Sequence, residues 1–282
     1  MDTSPVTPSP GTAIPPGTAI RRHGWATRIW HWINAVAVIV LLGSGLGISN
    51  AHPRLYWGRY GANFDPAWWQ LPRFPAWITI PASYNLAISR RWHLFFALVL
   101  GFGLLGYMIW GLVSRHFRRD LSLGRRELSA AHLWADVRAH WNFRFHDPAR
   151  PRDYNVFQKL SYVAILFVAL PLAILTGIAL SPGMNAGWPW VLDLFGGRQS
   201  ARSVHFLTAI LIGGFTVIHL VLVILAGAGN ELRSMVTGWW RVPPDGRSRG
   251  CGDGRRGGTG SWSGPGTGPR RRPRGTSWPG RS

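Results

Sequence analysis

The sequence predicts an all-α membrane protein whose core is a four-transmembrane-helix bundle. Four apolar stretches each approach the twenty or so residues that a helix needs to cross a bilayer. Arginines crowd the segments that flank these stretches, and four histidines lie inside them. By hydropathy, the spans cover about residues 25–48, 92–113, 157–180 and 203–226.

The rest of the chain falls into distinct segments. Residues 1–20 are rich in Pro, Thr and Ser, which predicts a disordered N-terminus. They lack a signal-peptide pattern, so we expect the first helix to be retained. Residues 21–242 are expected to form the membrane domain, in which Pro171 predicts a kink in the third helix. Residues 243–282 are rich in Gly, Arg, Pro, Ser and Trp. This composition is typical of a disordered basic tail attracted to anionic lipid. The favoured interpretation is instead that this end of the sequence results from a frame shift or a mispredicted reading frame and has no function.

The formal net charge of +20 does not point to a nucleic-acid partner, because many basic residues flank apolar runs or fall in the C-terminal segment. Membrane lipid is the partner that this distribution predicts. The single cysteine, Cys251, leaves no disulfide framework, cysteine-cluster metal site or thioether-linked cofactor within this chain.

The arginines also predict the orientation. They concentrate before the first span, between the second and third spans, and after the fourth, whereas the short third-to-fourth connection carries only Arg198 and Arg202. The loop 49–91 has five arginines, but it is long and its charges count less. The positive-inside rule therefore predicts a multi-pass membrane protein with both termini and the middle loop in the cytoplasm. The arginines that carry this prediction are Arg21, Arg22, Arg28, Arg115, Arg118, Arg119, Arg125, Arg126, Arg138, Arg233 and Arg241.

Aromatic residues are unusually dense in the two external connections. Most of these rings are expected to lie in the headgroup layer of a membrane. The others could form a contact surface for a periplasmic partner, since Trp and Tyr are favoured interface anchors. The aromatic residues of the two connections are Tyr56, Trp57, Tyr60, Phe64, Trp68, Trp69, Phe74, Trp77, Tyr84, Trp188 and Trp190.

Four of the ten histidines, His31, His93, His205 and His219, lie within the spans. An ionisable side chain at this depth is by default a hypothesis of a functional site. For the other six, solvation at the surface is the expected state. These six are His23, His52, His116, His132, His140 and His146.

The predicted topology pairs the four histidines. His31 lies early in a helix that starts inside, and His93 lies early in a helix that starts outside. On the fourth helix, His205 and His219 are fourteen residues apart, so they share a face and are separated by about 21 Å of helical rise. The expected pairs are therefore His31 with His219 near the inner side, and His93 with His205 near the outer side.

Two such pairs predict a bundle that encloses two b-type haems, with the four histidines as axial ligands of the haem iron. Two imidazoles saturate a haem iron and leave single-electron transfer as its chemistry. A zinc site would call for four ligands, and a proton relay would more readily recruit Asp or Glu, which the spans essentially lack. No catalytic residue is expected in the chain.

Small and basic residues near the histidines are candidate haem contacts. Gly45 and Gly106 lie fourteen and thirteen residues after His31 and His93, where a porphyrin edge needs bare backbone, although glycines also serve close helix packing. Several arginines at the span ends suit either haem propionates or anchoring at the membrane edge. These arginines are Arg28, Arg90, Arg91 and Arg202.

The chain resembles the bacterial di-haem cytochrome b family, which is related to cytochrome b561. The matching elements are the run Arg28-Ile29-Trp30-His31-Trp32-Ile33-Asn34-Ala35, the helix opening Arg91-Trp92-His93 and the spacing of His205 and His219. The resemblance covers about residues 20–240. The family includes the b-type cytochrome subunits of nickel–iron hydrogenase, formate dehydrogenase and thiosulfate reductase.

The resemblance implies an electron-transfer subunit of a respiratory chain that anchors a partner oxidoreductase and exchanges electrons between it and the quinone pool. The long Trp-rich outer loop most resembles the thiosulfate-reductase type, whose partners are often molybdopterin enzymes; a hydrogenase-type partner is the other expectation. The resemblance also suggests a quinone site near the inner haem, with Trp30, Asn34 or His23 as contacts.

Two alternatives remain at this point. A stand-alone cytochrome b561, such as a superoxide:quinone oxidoreductase, would need no partner, but the long outer and inner loops disfavour it. A non-redox transporter with histidine-lined sites is disfavoured by the small number of spans and by their lack of acidic groups. A reduced-minus-oxidised spectrum separates the transporter from the cytochromes, and co-purification of a catalytic subunit separates the two cytochromes.

Overall fold

A computed structural model describes residues 15, 17–62, 64–117, 134 and 156–242 of the chain. It is mostly helical, which confirms the predicted fold class. Four helices are long and apolar enough to cross a membrane: Trp25–Ala51, Leu86–Val113, Lys159–Leu180 and Arg198–Thr237. The predictions for residues 1–14 and 243–282, and for His132, His140 and His146, fall outside the described residues.

The first two helices extend beyond their apolar cores. Helix α1 is Trp25–Ala51 and helix α2 is Leu86–Val113. The Asn85 side chain accepts a hydrogen bond from the Ile88 amide at 3.2 Å, which caps α2. The cap explains why α2 begins six residues before its predicted apolar span, with two arginines in its first turns.

The third apolar helix is irregular. It consists of α3 (Val156–Val163), a π-helical segment (Ala164–Ala169) and α4 (Leu170–Leu180). Pro171 has no amide hydrogen to give to the carbonyl four residues earlier, and the wider π-helical turns directly precede it. The disturbance expected at Pro171 is therefore a π-helical segment, which is a common form of helix irregularity.

The fourth apolar helix is the longest element. Two short helices, α5 (Pro182–Gly187) and α6 (Trp190–Leu194), lead into α7 (Arg198–Thr237). Gly227 interrupts α7 with φ 104° and ψ 78°, a conformation that L side chains rarely adopt. The break comes directly after the predicted end of the apolar span at residue 226, so the polar segment that follows can take another direction.

The connection between α1 and α2 is folded onto the start of α7. Strand β2 (Arg54–Leu55) pairs with β3 (Trp69–Gln70), and a 3₁₀ turn (Ala76–Ile78) follows. The Trp68 Nε1 donates to Ser203 Oγ at 3.0 Å, and that hydroxyl donates to the Tyr56 carbonyl at 2.6 Å. These bonds fix part of the aromatic-rich loop directly above the helix that carries His205.

The segment before α1 and the segment after α7 form a small sheet at the other end of the helices from the α1–α2 connection. Strand β1 (Ala19–Arg21) pairs antiparallel with β4 (Trp239–Arg241). Next to it, a buried salt bridge joins Arg22 to Glu231 at 3.3 Å, and Trp240 Nε1 donates to the same carboxylate at 3.0 Å. This sheet and its salt bridge tie the start of α1 to the end of α7.

The helices pack as two pairs, α1 with α2 and α4 with α7. A buried apolar cluster joins the pairs in the middle of the bundle, while many outward side chains stay exposed, as a lipid-facing surface requires. Leu98, for example, is 60% exposed and Phe102 is 70% exposed. The cluster consists of Ala37, Val38, Leu100, Leu104, Ala169, Leu170 and Ile212.

Candidate functional site

The structure brings the four intramembrane histidines together as two pairs. The ring centroids of His93 and His205 are 6.1 Å apart, and those of His31 and His219 are 6.3 Å apart. These are the two pairs that the sequence predicts. Helix α7 contributes one member of each pair, while α2 and α1 contribute the others.

The separation of the rings suits a metal ion held between them. Metal–nitrogen bonds to histidine are about 2 Å long, and an imidazole centre lies about 1 Å behind its nitrogen, so two opposed ligands have centroids about 6 Å apart. Both observed separations match this value. Two histidines on opposite sides of one ion are the donor set of a six-coordinate haem iron.

The buried apolar cluster separates the two pairs. Ile212, a member of the cluster, lies midway between His205 and His219 along α7, about 10 Å from each by helical rise. The cluster takes residues from α1, α2, the third apolar helix and α7. The bundle therefore has two histidine levels with a water-excluding layer between them.

A hydroxyl from α1 orients the ring of His93. Ser44 is fully buried, and its Oγ lies 3.0 Å from His93 Nδ1. The same Oγ donates to the Val40 carbonyl at 2.7 Å. With Nδ1 bound in this way, Nε2 is the ring nitrogen left for a metal ion.

A hydroxyl from α4 orients the ring of His205. Thr176 is fully buried, and its Oγ1 lies 2.8 Å from His205 Nδ1 and donates to the Leu172 carbonyl at 2.7 Å. Hydrogen bonds of this kind to the second ring nitrogen commonly fix the orientation of metal-bound histidines. Sequence reasoning did not single out Ser44 or Thr176.

Glycines adjoin both hydroxyl residues and lie against the same rings. A β-carbon placed on Gly45 would lie 3.6 Å from His93 Cε1, and one on Gly177 would lie 3.6 Å from His205 Cε1. Gly45 was a predicted haem contact, whereas Gly177 was not. Around Gly106, the other predicted contact, a β-carbon would meet nothing within 4 Å, so its backbone borders open space.

Two of the predicted arginines carry buried nitrogen atoms near the histidine levels. Arg28 Nη1 donates to the Thr237 carbonyl at 3.1 Å, and Arg202 Nη2 donates to the Arg54 carbonyl at 2.9 Å. The Nε atoms of Arg28 and Arg202 are buried and have no hydrogen-bond partner within the described residues. Such groups suit a carboxylate supplied by a cofactor. Arg91, in contrast, is exposed on α2, as is Arg90.

Trp30 and Asn34, two of the residues predicted to contact quinone, lie on α1 within one turn of His31. Trp30 stacks on Tyr107 of α2 with ring centroids 5.3 Å apart. The Asn34 Oδ1 is buried without a hydrogen-bond partner in the part of the chain that the structure describes. Burial lowers the pKa of His23 to about 4, with further contributions from the charges of Arg22, His31 and Arg28, so this side chain is neutral at physiological pH.

The histidines and aromatic residues outside the two pairs differ in burial and in contacts. Burial lowers the pKa of His52, and the nearby Arg202 and Arg90 add to this effect. His116 lies 3.3 Å from the Tyr107 hydroxyl, a contact that sequence reasoning missed. Among the loop aromatics, Tyr56 is buried, whereas Phe64 and Trp77 are strongly exposed.

Apolar helices that hold facing histidine pairs, with buried basic groups at the same levels, are the arrangement of a membrane-spanning haem protein. The sequence profile of the prokaryotic cytochrome b561 family matches residues 22–238. The chain belongs to this family, which confirms the predicted resemblance. It is an integral membrane protein for electron transport, and its prosthetic group is haem b.

Curated relatives match most of the chain. A probable Ni/Fe-hydrogenase B-type cytochrome subunit of Azotobacter vinelandii is 27% identical over 241 residues, which are 82% of this chain and 91% of that protein. A protein of the same description from Cupriavidus necator is 26% identical over 75% of this chain and 83% of its own length. A putative protein-methionine-sulfoxide reductase subunit of Azospira oryzae is 26% identical over 70% of this chain and 87% of its own length. No solved structure matches the chain significantly.

Proposed function

We propose that this chain binds two b-type haems, one between His31 and His219 and one between His93 and His205, and carries electrons across the bilayer. The observation that carries the proposal is the placement of two facing pairs, 6.3 Å and 6.1 Å apart, at two levels of one bundle. The levels are about 21 Å apart along α7, which is most of the thickness of a hydrocarbon core.

The chain's own residues supply ligation, orientation and exclusion of water. Haem iron, if held by the two histidines of a pair, would supply one-electron chemistry. The His93 and His205 rings are held by buried hydroxyls, and Arg28 and Arg202 offer buried Nε atoms to the propionates. The apolar cluster around Ile212 keeps water from the space between the levels.

The proposed orientation places the His93 and His205 level at the outer side of the bacterial inner membrane, with both termini in the cytoplasm. The charge bias of the connections supports it. We propose that the quinone pool exchanges electrons at the inner level. The Asn34 Oδ1, which is buried without a hydrogen-bond partner among the residues that the structure describes, and Trp30, one helical turn earlier, support a polar and aromatic contact there for a quinone ring.

The proposed partner is a catalytic oxidoreductase subunit on the periplasmic side. Relatives described as cytochrome subunits of Ni/Fe-hydrogenase favour a hydrogenase-type partner. The Azospira relative, described as a reductase subunit, favours a reductase as the second candidate; a thiosulfate-reductase or other molybdopterin partner is a prediction from the outer loop. The exposed Trp57 and Trp77 of that loop suit such contacts.

The test is the haem content of the purified full chain. A reduced-minus-oxidised spectrum should show a b-type cytochrome, and a pyridine haemochrome assay should give two haems per chain. Acid acetone should extract both haems, because Cys251 is the only cysteine and covalent attachment is not expected. One haem per chain would contradict the assignment of two sites. Co-purification of a catalytic subunit from native membranes would separate a subunit of a complex from a stand-alone cytochrome.

A further inference from the structure

Ser44 on α1 and Thr176 on α4 hold the two rings of one histidine pair in the same way. Each hydroxyl donates to the carbonyl oxygen four residues earlier on its own helix at 2.7 Å. Each also contacts one Nδ1, that of His93 at 3.0 Å and that of His205 at 2.8 Å. Both hydroxyl residues are fully buried, so water does not compete for these bonds.

The number of hydrogens determines the direction of these bonds. A hydroxyl has one hydrogen and two acceptor lone pairs, and here the hydrogen is directed to the helix carbonyl. With that hydrogen on the carbonyl, the contact with Nδ1 is made by an imidazole N–H that donates to the hydroxyl oxygen. The backbone of Leu41 also bonds to His93 and that of Ala173 to His205, and carbonyl acceptors favour the same Nδ1–H tautomer. His93 and His205 are thereby fixed in the tautomer that carries hydrogen on Nδ1 and a lone pair on Nε2, which is the atom that can bind a metal ion.

In the part of the chain that the structure describes, no serine or threonine hydroxyl bonds to a ring of the other histidine pair. The Nδ1 of His31 is buried and has no hydrogen-bond partner within the described ranges of the chain. The ring of His219 stacks instead on Phe215, with centroids 5.8 Å apart and planes 12° apart. The two levels of the bundle thus present histidines with different surroundings to the cofactor.

We propose that Ser44 and Thr176 are positioning residues that fix the tautomer of His93 and His205 and lower the reduction potential at that level. This inference rests on the proposed function. A hydroxyl that accepts the Nδ1 hydrogen increases the basicity of the ring and the electron donation of Nε2 to iron. Stronger donation favours oxidised iron, so removal of the hydroxyls raises the midpoint potential of this level alone.

The chain offers matched variants for the test. Ser44→Ala and Thr176→Val remove the acceptors, and Thr176→Ser keeps one. Ser49→Ala and Thr208→Val are the controls, because these hydroxyls also donate to carbonyls of their own helices, at 2.9 Å and 2.8 Å, and have no hydrogen bond to a histidine within the described residues. Potentiometric titration of each full-length variant in detergent is followed at the haem absorbance, with the His93-dependent component identified from the His93→Ala spectrum.

We expect the midpoint potential of the His93-dependent component to rise in Ser44→Ala and in Thr176→Val, and to rise further in the double variant. Thr176→Ser and both controls should keep the wild-type midpoint potential. Selective loss of this component in Thr176→Val, restored in Thr176→Ser, also supports it. Unchanged potentials with both haems bound would overturn it, as would an equal shift of the other component or failure of Thr176→Ser to restore wild-type behaviour. A wild-type chain without haem would instead overturn the proposed function.

Discussion

The ring of His205 on α7 faces the ring of His93 on α2, with centroids 6.1 Å apart. The same helix turns a second ring, that of His219, towards α1 about 21 Å further along. Each level of the bundle thus depends on α7 and on a different second helix. This division makes the two proposed haem sites separable by single substitutions.

The first prediction concerns this separation. His93→Ala and His205→Ala should remove the same spectral component and about half of the haem, because an iron with one remaining axial imidazole is held weakly. His31→Ala and His219→Ala should remove the other component. Haem content and low-temperature difference spectra of the purified variants measure this result. Loss of one common component in His93→Ala and His31→Ala would show that the pairing is wrong.

The second prediction compares a buried salt bridge with an exposed one. The Arg22 and Glu231 side chains are 6% and 17% exposed, whereas those of Arg59 and Asp193 are 69% and 63% exposed, and both pairs are 3.3 Å apart. Glu231→Gln removes the carboxylate charge that lies beside the buried Arg22 guanidinium and should destabilise the chain by about 2 kcal/mol. Asp193→Asn should change stability very little, because exposed ion pairs contribute little.

Thermal unfolding in detergent measures both substitutions, and limited proteolysis reports whether β1 and β4 separate. The Glu231→Gln variant should show a lower Tm and faster cleavage near β1 and β4, with its haem content unchanged. Equal effects of the two substitutions would contradict the view that burial makes the Arg22–Glu231 bridge the stronger determinant.

The third prediction concerns the break in α7. Gly227 has φ 104°, whereas Gly229 lies in helical backbone and a β-carbon there would meet nothing within 4 Å. Gly227→Ala should therefore cost about 1–3 kcal/mol. Gly229→Ala should be neutral or stabilise the helix by up to about 1 kcal/mol. Thermal unfolding of the two variants is the measurement, and a stabilised Gly227→Ala chain would mean that the break is not required.

These residues show what the sequence could reveal. The spans and histidine levels could be predicted because the length of an apolar stretch is visible in the local sequence and the rise of an α-helix is constant. Ser44 and Thr176 were missed because a hydroxyl that bonds back to its own helix leaves no trace in a hydropathy pattern. Their role depends on which helix faces them, and that is a tertiary relationship. The cap at Asn85 was missed for a related reason, since a window that averages hydropathy dilutes a polar first turn.

The folded connection between α1 and α2 shows the same limit. Its aromatic content predicted contacts with the membrane or with a partner, but the sequence carried no sign that Tyr56 and Trp68 would bind Ser203 at the start of α7. The break at Gly227, by comparison, coincides with the end of an apolar stretch. Local patterns thus indicate where elements stop, while docking between distant segments is decided by side chains that meet only in the fold.

The last prediction concerns the side at which quinol delivers electrons. If quinol binds beside Trp30 and Asn34, at the level of His31 and His219, a quinol analogue should still reduce the remaining haem in His93→Ala membranes at close to the wild-type rate. His31→Ala membranes are the matched control, since they lack the proposed entry level and should show slow reduction of the outer component. Stopped-flow absorbance of both membrane preparations measures the rates. An inner component that no longer accepts electrons in His93→Ala, together with normal reduction of the outer component in His31→Ala, would place the quinol site at the outer level instead.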